Sequence, residues 1–443
     1  MSTSGSNLKF KLIAFSFLLF AGVTLSKAQK IDTVITRTAI IGSQDIVYVS
    51  SSMSDTEIRT WDKNELKVEY SLSIDANSAE DLREFLSKMT SELGGQLKNV
   101  KDGRVHANVK FTSIMKNNKN ITVQFADDNK KYKLTEYESG LVVYMPAGNR
   151  LDLNSSFQEV RIGDLQNDAN IRISSCRFSM GNCKHLEMDA SFCKNMVAGN
   201  IESGKLRLNS SSLEMGEVKK GLELKGGFSE IDVEKIAEKA DLILNSSTFE
   251  TSEISELDLK GSFVRSFRAN KIGKASIDLN SSKLEANHID ELKVVKTSFS
   301  TVDVNESPKI SVDNSASSKY FIDRTDDMQV KYASFTHFEI GDLGKIFTVD
   351  ASSGEMEIGN IDPGFEMILI AGKFFGVDLD FDDNASYSVS ADLDFPNYEF
   401  RDLDINTHEK NMSHEWIEGQ RKGSKNGMGR VKLNCSSCKI RVE

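Results

Sequence analysis

The sequence has little proline and lacks an excess of basic residues. Four prolines occur among 443 residues, and 39% of the residues are hydrophobic and 27% charged, a composition that excludes a wholly disordered chain. The 66 acidic residues outnumber the 55 basic ones, so the formal net charge is -11. Nucleic-acid binding and polybasic attachment to membranes both need an excess of lysine and arginine on one face, so we expect neither.

Long hydrophobic runs are also lacking, apart from one at the start. Lys9 and Lys11 precede an apolar run over residues 12–25, and the small residues Ser26 and Ala28 follow it. This order predicts a signal peptide over residues 1–28, although a retained anchor is the alternative. No cysteine stands near the end of the run, so no lipid attachment is expected. The sequence predicts an exported protein that is periplasmic, outer-membrane-associated or extracellular, without a later membrane span.

Cysteine is scarce and odd in number. Since five thiols cannot all pair within one chain, at least one is predicted to stay free or to pair between chains. One pair is separated by only two serines, the spacing of a redox motif, but it interrupts a strand-like stretch. A local disulfide or two small buried residues is therefore favoured, and the pairing is left open. The five are Cys176, Cys183, Cys193, Cys435 and Cys438.

A short phrase repeats between residues 151 and 370. It consists of two apolar residues with one residue between them, then Asn or Lys, two small residues, and Phe or Leu. Examples are residues 151–157 (LDLNSSF) and 257–263 (LDLKGSF). Gaps between phrases alternate between 15 or 16 and 20 residues, which gives a superrepeat of 35–36 residues. Apolar and polar residues alternate within each phrase, as in strands. The sequence predicts an all-β fold, a single-chain parallel β-solenoid resembling a right-handed β-helix.

The phrases also predict which residues stack on one another. The large apolar residue closing each phrase is expected to form a ladder in the interior, because it recurs in every coil instead of once at a site. The residue after the second apolar position is expected to form a ladder at a bend. The first ladder comprises Phe157, Phe178, Phe192, Leu213, Phe228, Phe249, Phe263, Leu284 and Phe299; the second comprises Asn154, Asp189, Asn209, Lys225, Asn245, Lys260, Asn280 and Lys296.

The two ends differ from the repeat. Residues 29–145 predict a β-rich entry module with one helix over residues 79–93, capped by Ser78 and stopped by Gly94 and Gly95. This module is expected to cover the first coil. Residues 146–443 are expected to form the solenoid and its closing strands.

Residues suited to catalysis or metal binding are few. The acidic triplet Asp378, Asp380 and Asp382 could bind calcium, but its spacing fits no known calcium loop, so a solvated acidic face is favoured. The six histidines are dispersed, and no nucleophile elbow, zinc motif or phosphate-binding glycine loop is present. A basic turn formed by Arg421, Lys422, Lys425 and Arg430 is expected to be solvated. We therefore predict no catalytic, cofactor-binding or metal-binding residues.

Four segments resemble the bacterial putative-adhesin families of exported β-solenoid proteins. They are residues 58–66 (IRTWDKNEL), 143–148 (VYMPAG), 352–358 (SSGEMEI) and 429–442 (GRVKLNCSSCKIRV). Together they extend over nearly the whole mature chain. The resemblance implies an envelope or surface protein with an adhesive role, and it implies no catalytic residue.

These observations give one expected function and two alternatives. The expected function is a noncatalytic exported cell-envelope protein, an adhesin or binding platform that presents a long solenoid face to a glycan or a cell-surface protein. The first alternative is a periplasmic scaffold without an outside ligand. The second is a polysaccharide-active enzyme built on a β-helix. Such an enzyme needs long loops around a cleft, and coils of 15 to 20 residues leave no room for them. The oligomeric state is left open.

Overall fold

The computed structural model describes residues 30–117, 120–424 and 429–443. The predicted signal peptide, residues 1–28, lies outside the described residues. Almost all the secondary structure is β, which confirms the predicted all-β parallel solenoid. No helix within the described ranges is long and apolar enough to cross a membrane.

The first part of the chain combines a small antiparallel sheet with one helix. Its strands are β1 (Ile31–Ile40), β2 (Ile46–Ser52), β3 (Asp55–Trp61), β4 (Glu65–Ala76), β5 (Arg104–Ala107), β6 (Phe111–Asn117), β7 (Asn120–Phe125) and β8 (Lys131–Pro146). Strand β4 lies antiparallel between β1 and β8. Strands β2 and β3 instead pair in parallel with the first later coil, so the parallel stack already begins at residue 46.

Helix α1 (Ala79–Gln96) begins where the sequence predicts and ends later. The Ser78 hydroxyl accepts a hydrogen bond from the backbone N–H of Asp81, as an N-cap does. The predicted stop at Gly94 and Gly95 was wrong, because both glycines lie within the helix. A 3₁₀-helix (Leu97–Asp102) follows directly, and buried Leu97 and Val100 hold it against the core. The helical segment ends at Gly103, whose φ is 71°.

The solenoid proper is a stack of parallel strands. They are β9 (Arg150–Ser156), β10 (Glu159–Ile162), β11 (Ala169–Ser174), β12 (Arg177–Met180), β13 (Cys183–Ser191), β14 (Met196–Ala198), β15 (Ile201–Asn209), β16 (Ser212–Val218), β17 (Gly221–Gly227), β18 (Glu230–Asn245), β19 (Thr248–Ser262), β20 (Ser266–Asn280), β21 (Lys283–Ser298), β22 (Thr301–Glu306), β23 (Lys309–Val312), β24 (Ser315–Ala316) and β25 (Lys319–Ile361). Leu206, Leu224 and Leu242 are paired in successive coils, so one coil takes 18 residues here.

Each coil has two faces that meet at a sharp corner. The long face is the strand before the corner, with inward residues such as Leu222 and Leu224, and the short face is the strand after it, with inward residues such as Ile231 and Val233. Inward aromatic residues stack on those of the neighbouring coil, as Phe249 and Phe267 do with ring centroids 5.2 Å apart. Apolar residues therefore pack on apolar residues in register from coil to coil, as Leu213, Ile231 and Phe249 do.

The last strands do not follow one another in chain order. They are β26 (Met367–Phe381), β27 (Tyr387–Asp394), β28 (Asn397–Phe400), β29 (Leu403–Asn411), β30 (His414–Arg421), β31 (Gly429–Ser436) and β32 (Lys439–Val442). Strand β31 lies in parallel between β26 and β27, and β32 lies between β26 and β28. The C-terminal segment thus forms a coil inserted between two coils that precede it in sequence. The antiparallel hairpin of β29 and β30 then covers the outer edge of β27.

Candidate functional site

The predicted interior ladder of large apolar residues was wrong for every second member. Phe178, Leu213, Phe249 and Leu284 are buried, whereas the phenylalanines between them are 58–70% exposed. The two groups occupy different positions of the coil. Buried members lie three residues after the corner, and exposed members occupy the corner itself. We call the exposed residues the corner row: Phe157, Phe192, Phe228, Phe263, Phe299, Phe335, Phe374 and Phe395.

The same shift explains why the Asn and Lys ladder does not form. Lys225 pairs with Ile243 in the next coil, and Asn245 pairs with Ser262. Successive phrases occupy two different positions within an 18-residue coil. The alternating gaps therefore reflect a shift of the phrase within the coil and not coils of unequal length.

The sequence contained a signal that separates the two positions. Phe157, Phe192, Phe228, Phe263 and Phe299 follow one another at gaps of 35, 36, 35 and 36 residues, so phenylalanine returns in every second coil only. In the coils between them the corner residue is serine, such as Ser210 and Ser246. A position that accepts both phenylalanine and serine is not a core position.

Every residue of the corner row has a left-handed backbone conformation. Their φ angles lie between 48° and 68°, and the corner serines have φ near 50° as well. This conformation is unusual for a bulky residue and costs on the order of 1–3 kcal/mol. The row therefore combines backbone strain with an exposed ring, in eight places along one edge.

A ladder of buried hydroxyls fixes this corner. The residue after Phe228 is Ser229, whose hydroxyl donates to the carbonyl of Gly227 at 2.9 Å and so spans the corner. The Ser229 hydroxyl also accepts from the backbone N–H of Ser211 in the preceding coil, at 3.3 Å. The same pattern recurs at Ser247, Ser282, Ser300 and Ser318. Where a serine follows the corner, these bonds hold the backbone on both sides and the strained conformation persists. Val264 after Phe263 and Phe375 after Phe374 offer no such hydroxyl.

Three cysteines, Cys176, Cys193 and Cys438, take the place of serine after a corner. The Cys193 sulfur accepts from the backbone N–H of Cys176 at 3.3 Å, and both side chains are buried. All five cysteines are free and buried, so of the two alternatives for Cys435 and Cys438 the structure has two small buried residues and not a local disulfide. Contact with Cys176 and burial raise the pKa of Cys193, and burial raises the pKa of Cys183 to about 12. Thiols held protonated in this way are poor nucleophiles.

The inserted C-terminal coil preserves the alternation of the corner row. In sequence Phe374 and Phe395 are neighbouring members, with no corner serine between them. In space the β31 coil lies between theirs, and its corner residue is Ser437, with φ of 56°. Phenylalanine and serine therefore alternate along the stack from Phe157 to Phe395. With strands about 4.8 Å apart, neighbouring rings are about 9.6 Å apart and the row is roughly 67 Å long.

The corner residue and the residue directly before it carry no charge over twelve successive coils. We call the corner residue and the residue before it in these coils the edge stripe: Ser156-Phe157, Ser174-Ser175, Ser191-Phe192, Asn209-Ser210, Gly227-Phe228, Asn245-Ser246, Ser262-Phe263, Asn280-Ser281, Ser298-Phe299, Ala316-Ser317, Ser334-Phe335 and Ser352-Ser353. In the asparagine coils the serine hydroxyl donates to the asparagine carbonyl oxygen, as from Ser246 to Asn245 at 2.9 Å. The stripe thus offers phenyl rings, hydroxyls and amides.

Both faces beside the stripe are charged. On the short face Glu214, Asp232 and Glu250 lie in register in three successive coils. The long face has mixed signs, and its charges form pairs between coils, such as Arg172 with Asp152 at 3.1 Å and Arg207 with Asp189 at 3.3 Å. The edge stripe is therefore an uncharged line between two charged surfaces.

Two members of the acidic triplet considered for calcium are engaged otherwise. Asp378 forms an ion pair with Arg441, and Asp382 accepts a hydrogen bond from the backbone N–H of Asn384 at 2.8 Å. Within the described part of the chain, no three histidine, cysteine or acidic side chains are arranged to hold a metal ion. Arg421, expected in a solvated turn, instead donates to the carbonyl oxygens of Asp382 and Ala385. Lys425 lies outside the described residues.

Comparison with known proteins gives little beyond this geometry. The sequence matches no protein-family model and no curated protein sequence. A crystal structure described as that of a putative cell adhesion protein from Clostridium sporogenes aligns with 94% of this chain and 99% of its own length, at 6% identity and a TM-score of 0.14. A likeness at that score carries no argument, so the functional argument rests on the chain itself.

Proposed function

We propose that this protein is a noncatalytic exported cell-envelope protein that acts as a binding platform, with adhesion as its role. The observation that carries the proposal is the corner row. Eight phenylalanine rings project from one edge of a stiff solenoid, each 58% exposed or more. Together they expose apolar surface on the order of 1,000 Å².

Folding alone gives no reason for these rings. Serine fills the same corner in the alternate coils, so the fold does not need phenylalanine there. A residue type that strains the backbone locally, and that recurs without improving the packing, indicates a role other than folding. A regular row also suits binding by repeated weak contacts, whose strengths combine when one ligand spans several of them.

The location of the protein is tested by protease treatment of intact cells. An antibody against residues 146–443 reports the solenoid, and a periplasmic protein serves as the control for membrane integrity. An adhesin is expected to lose its signal while the control stays protected. Protection of the solenoid until the outer membrane is opened would contradict adhesion and support the periplasmic scaffold instead.

A further inference from the structure

We infer that the edge stripe binds a neutral, extended polysaccharide that lies along the corner row. This inference rests on the proposed binding function and specifies its ligand. Three properties of the stripe select this ligand class: its lack of charge, the chemistry of its exposed groups and its length.

The stripe itself offers no charged partner. Across the twelve coils from Ser156 to Ser353 neither residue of the stripe is charged, although 27% of the whole chain is. Charged polymers bind proteins largely through opposite charges. The charges beside the stripe are of both signs, since Glu230, Lys283 and Lys319 each lie two residues after a corner. A neutral polymer needs no charged partner and can contact the stripe alone.

The exposed groups fit sugars better than protein. A sugar ring has an apolar C–H face and a rim of hydroxyls, and the stripe alternates a phenyl ring with a serine hydroxyl. The rings can contact the C–H faces, while hydroxyls and the amides of Asn209, Asn245 and Asn280 can exchange hydrogen bonds with the rim. Protein interfaces are enriched in phenylalanine, tyrosine, tryptophan, methionine and arginine but depleted in serine, so the serines of the stripe, and not its rings, favour a sugar over a protein.

The spacing and length fit an extended polymer. Rings about 9.6 Å apart exceed the roughly 7 Å reach of paired aromatic rings, so each ring is a separate contact point. The contact points follow one edge of the stack in successive second coils, so a polymer can reach several of them only when it is extended. The affinity is then expected to rise with ligand length, since each added contact is made by a ligand already bound.

The test compares polysaccharides that differ in charge. The mature chain, residues 29–443, is assayed against three neutral extended glycans: hydroxyethyl cellulose, galactomannan and chitohexaose. Carboxymethyl cellulose provides an anionic glycan on the same backbone as the first. We expect binding to at least one neutral glycan, at least tenfold weaker binding to its anionic counterpart where one is compared, and tighter binding of longer chains in an oligosaccharide series.

Two triple variants locate the binding. F228N/F263N/F299N removes three rings but keeps a residue type that tolerates the left-handed corner. I243N/V295N/Y332N changes three exposed apolar residues of the long face, which are 47%, 40% and 46% exposed. The first variant is expected to bind at least tenfold more weakly, and the second to bind as the natural protein does.

Three results would overturn the inference. They are no binding to any of the neutral glycans, preference for the anionic glycan, and unchanged binding by the corner variant. None of them depends on where the protein resides in the cell. A surface-exposed protein without glycan binding would therefore leave the proposed binding function standing with a different partner.

Discussion

At the scale of the residue, the same amino acid has opposite roles within a few positions. Phe263 lies at a corner with 58% of its surface exposed, and Phe267 lies four residues later with none. Hydrophobicity alone could not separate them, so the sequence predicted the corner phenylalanines as core. What separates them is backbone geometry: a left-handed residue at the corner turns its side chain outward, and strand residues alternate between inside and outside.

This pair predicts opposite effects on stability. Phe267→Ala is expected to lower the free energy of unfolding by about 3–5 kcal/mol, because it leaves a cavity beside Phe249. Phe263→Asn is expected to change it by no more than about 1 kcal/mol, because relief of the strained backbone offsets the small loss of packing. Denaturant unfolding of both variants measures this difference. Comparable losses in both would mean that the corner rings belong to the core.

At the scale of the element, the least predictable feature is the order of the last coils. The 18-residue period indicates where coils recur, but it cannot show that β31 inserts between β26 and β27, which precede it. That pairing depends on contacts between distant residues. Ser437 agrees with this pairing, because it supplies the corner serine that is missing between Phe374 and Phe395 in the sequence. Helix α1 could be predicted at its start but not at its end. Ser78 marks the start in the sequence, whereas packing of buried Leu97 extends the helical segment past the two glycines.

The insertion predicts a local effect of truncation. Removing residues 429–443 deletes β31 and β32 and leaves β26 and β27 without their shared neighbour. In a stack where each coil contacts only its neighbours, the damage should stay near the end. Limited proteolysis with mass spectrometry should find new cleavage after residue 361, with cleavage within residues 150–350 unchanged from that of the full-length protein. Cleavage throughout the solenoid would show that the inserted coil stabilises the whole stack.

The closing hairpin predicts a dependence on acid. The Glu415 carboxylate in β30 is buried and accepts hydrogen bonds from Lys410, His408 and Tyr398. These partners lower its pKa to about 2, from an ordinary value of 4.5. The stabilisation is therefore present above about pH 4.5 and is lost as the pH falls towards 2. Hydrogen exchange of β29 and β30 should rise over this range, and Glu415→Gln should reduce that pH dependence. An unchanged dependence in the variant would assign it to other groups.

At the scale of the whole molecule, the chain forms a stiff rod with a line of separate apolar contacts along one edge. The solenoid follows from the sequence repeat, because strands alternate inside and outside and coils recur at a fixed period. The exposed corner row does not follow from the repeat, because exposure depends on which of two coil positions each phrase occupies. We propose that this row is a contact surface in the cell.

Hydroxyl-radical footprinting tests that claim without knowledge of the partner. In the purified protein the corner row should be oxidised readily, and buried Phe249 and Phe267 should be protected. On intact cells producing the protein in its native envelope, the corner row should become protected, while Tyr332 on the long face, 46% exposed, should stay reactive as the matched control. Equal oxidation of the corner row in both settings would show that nothing covers it, and would contradict the account.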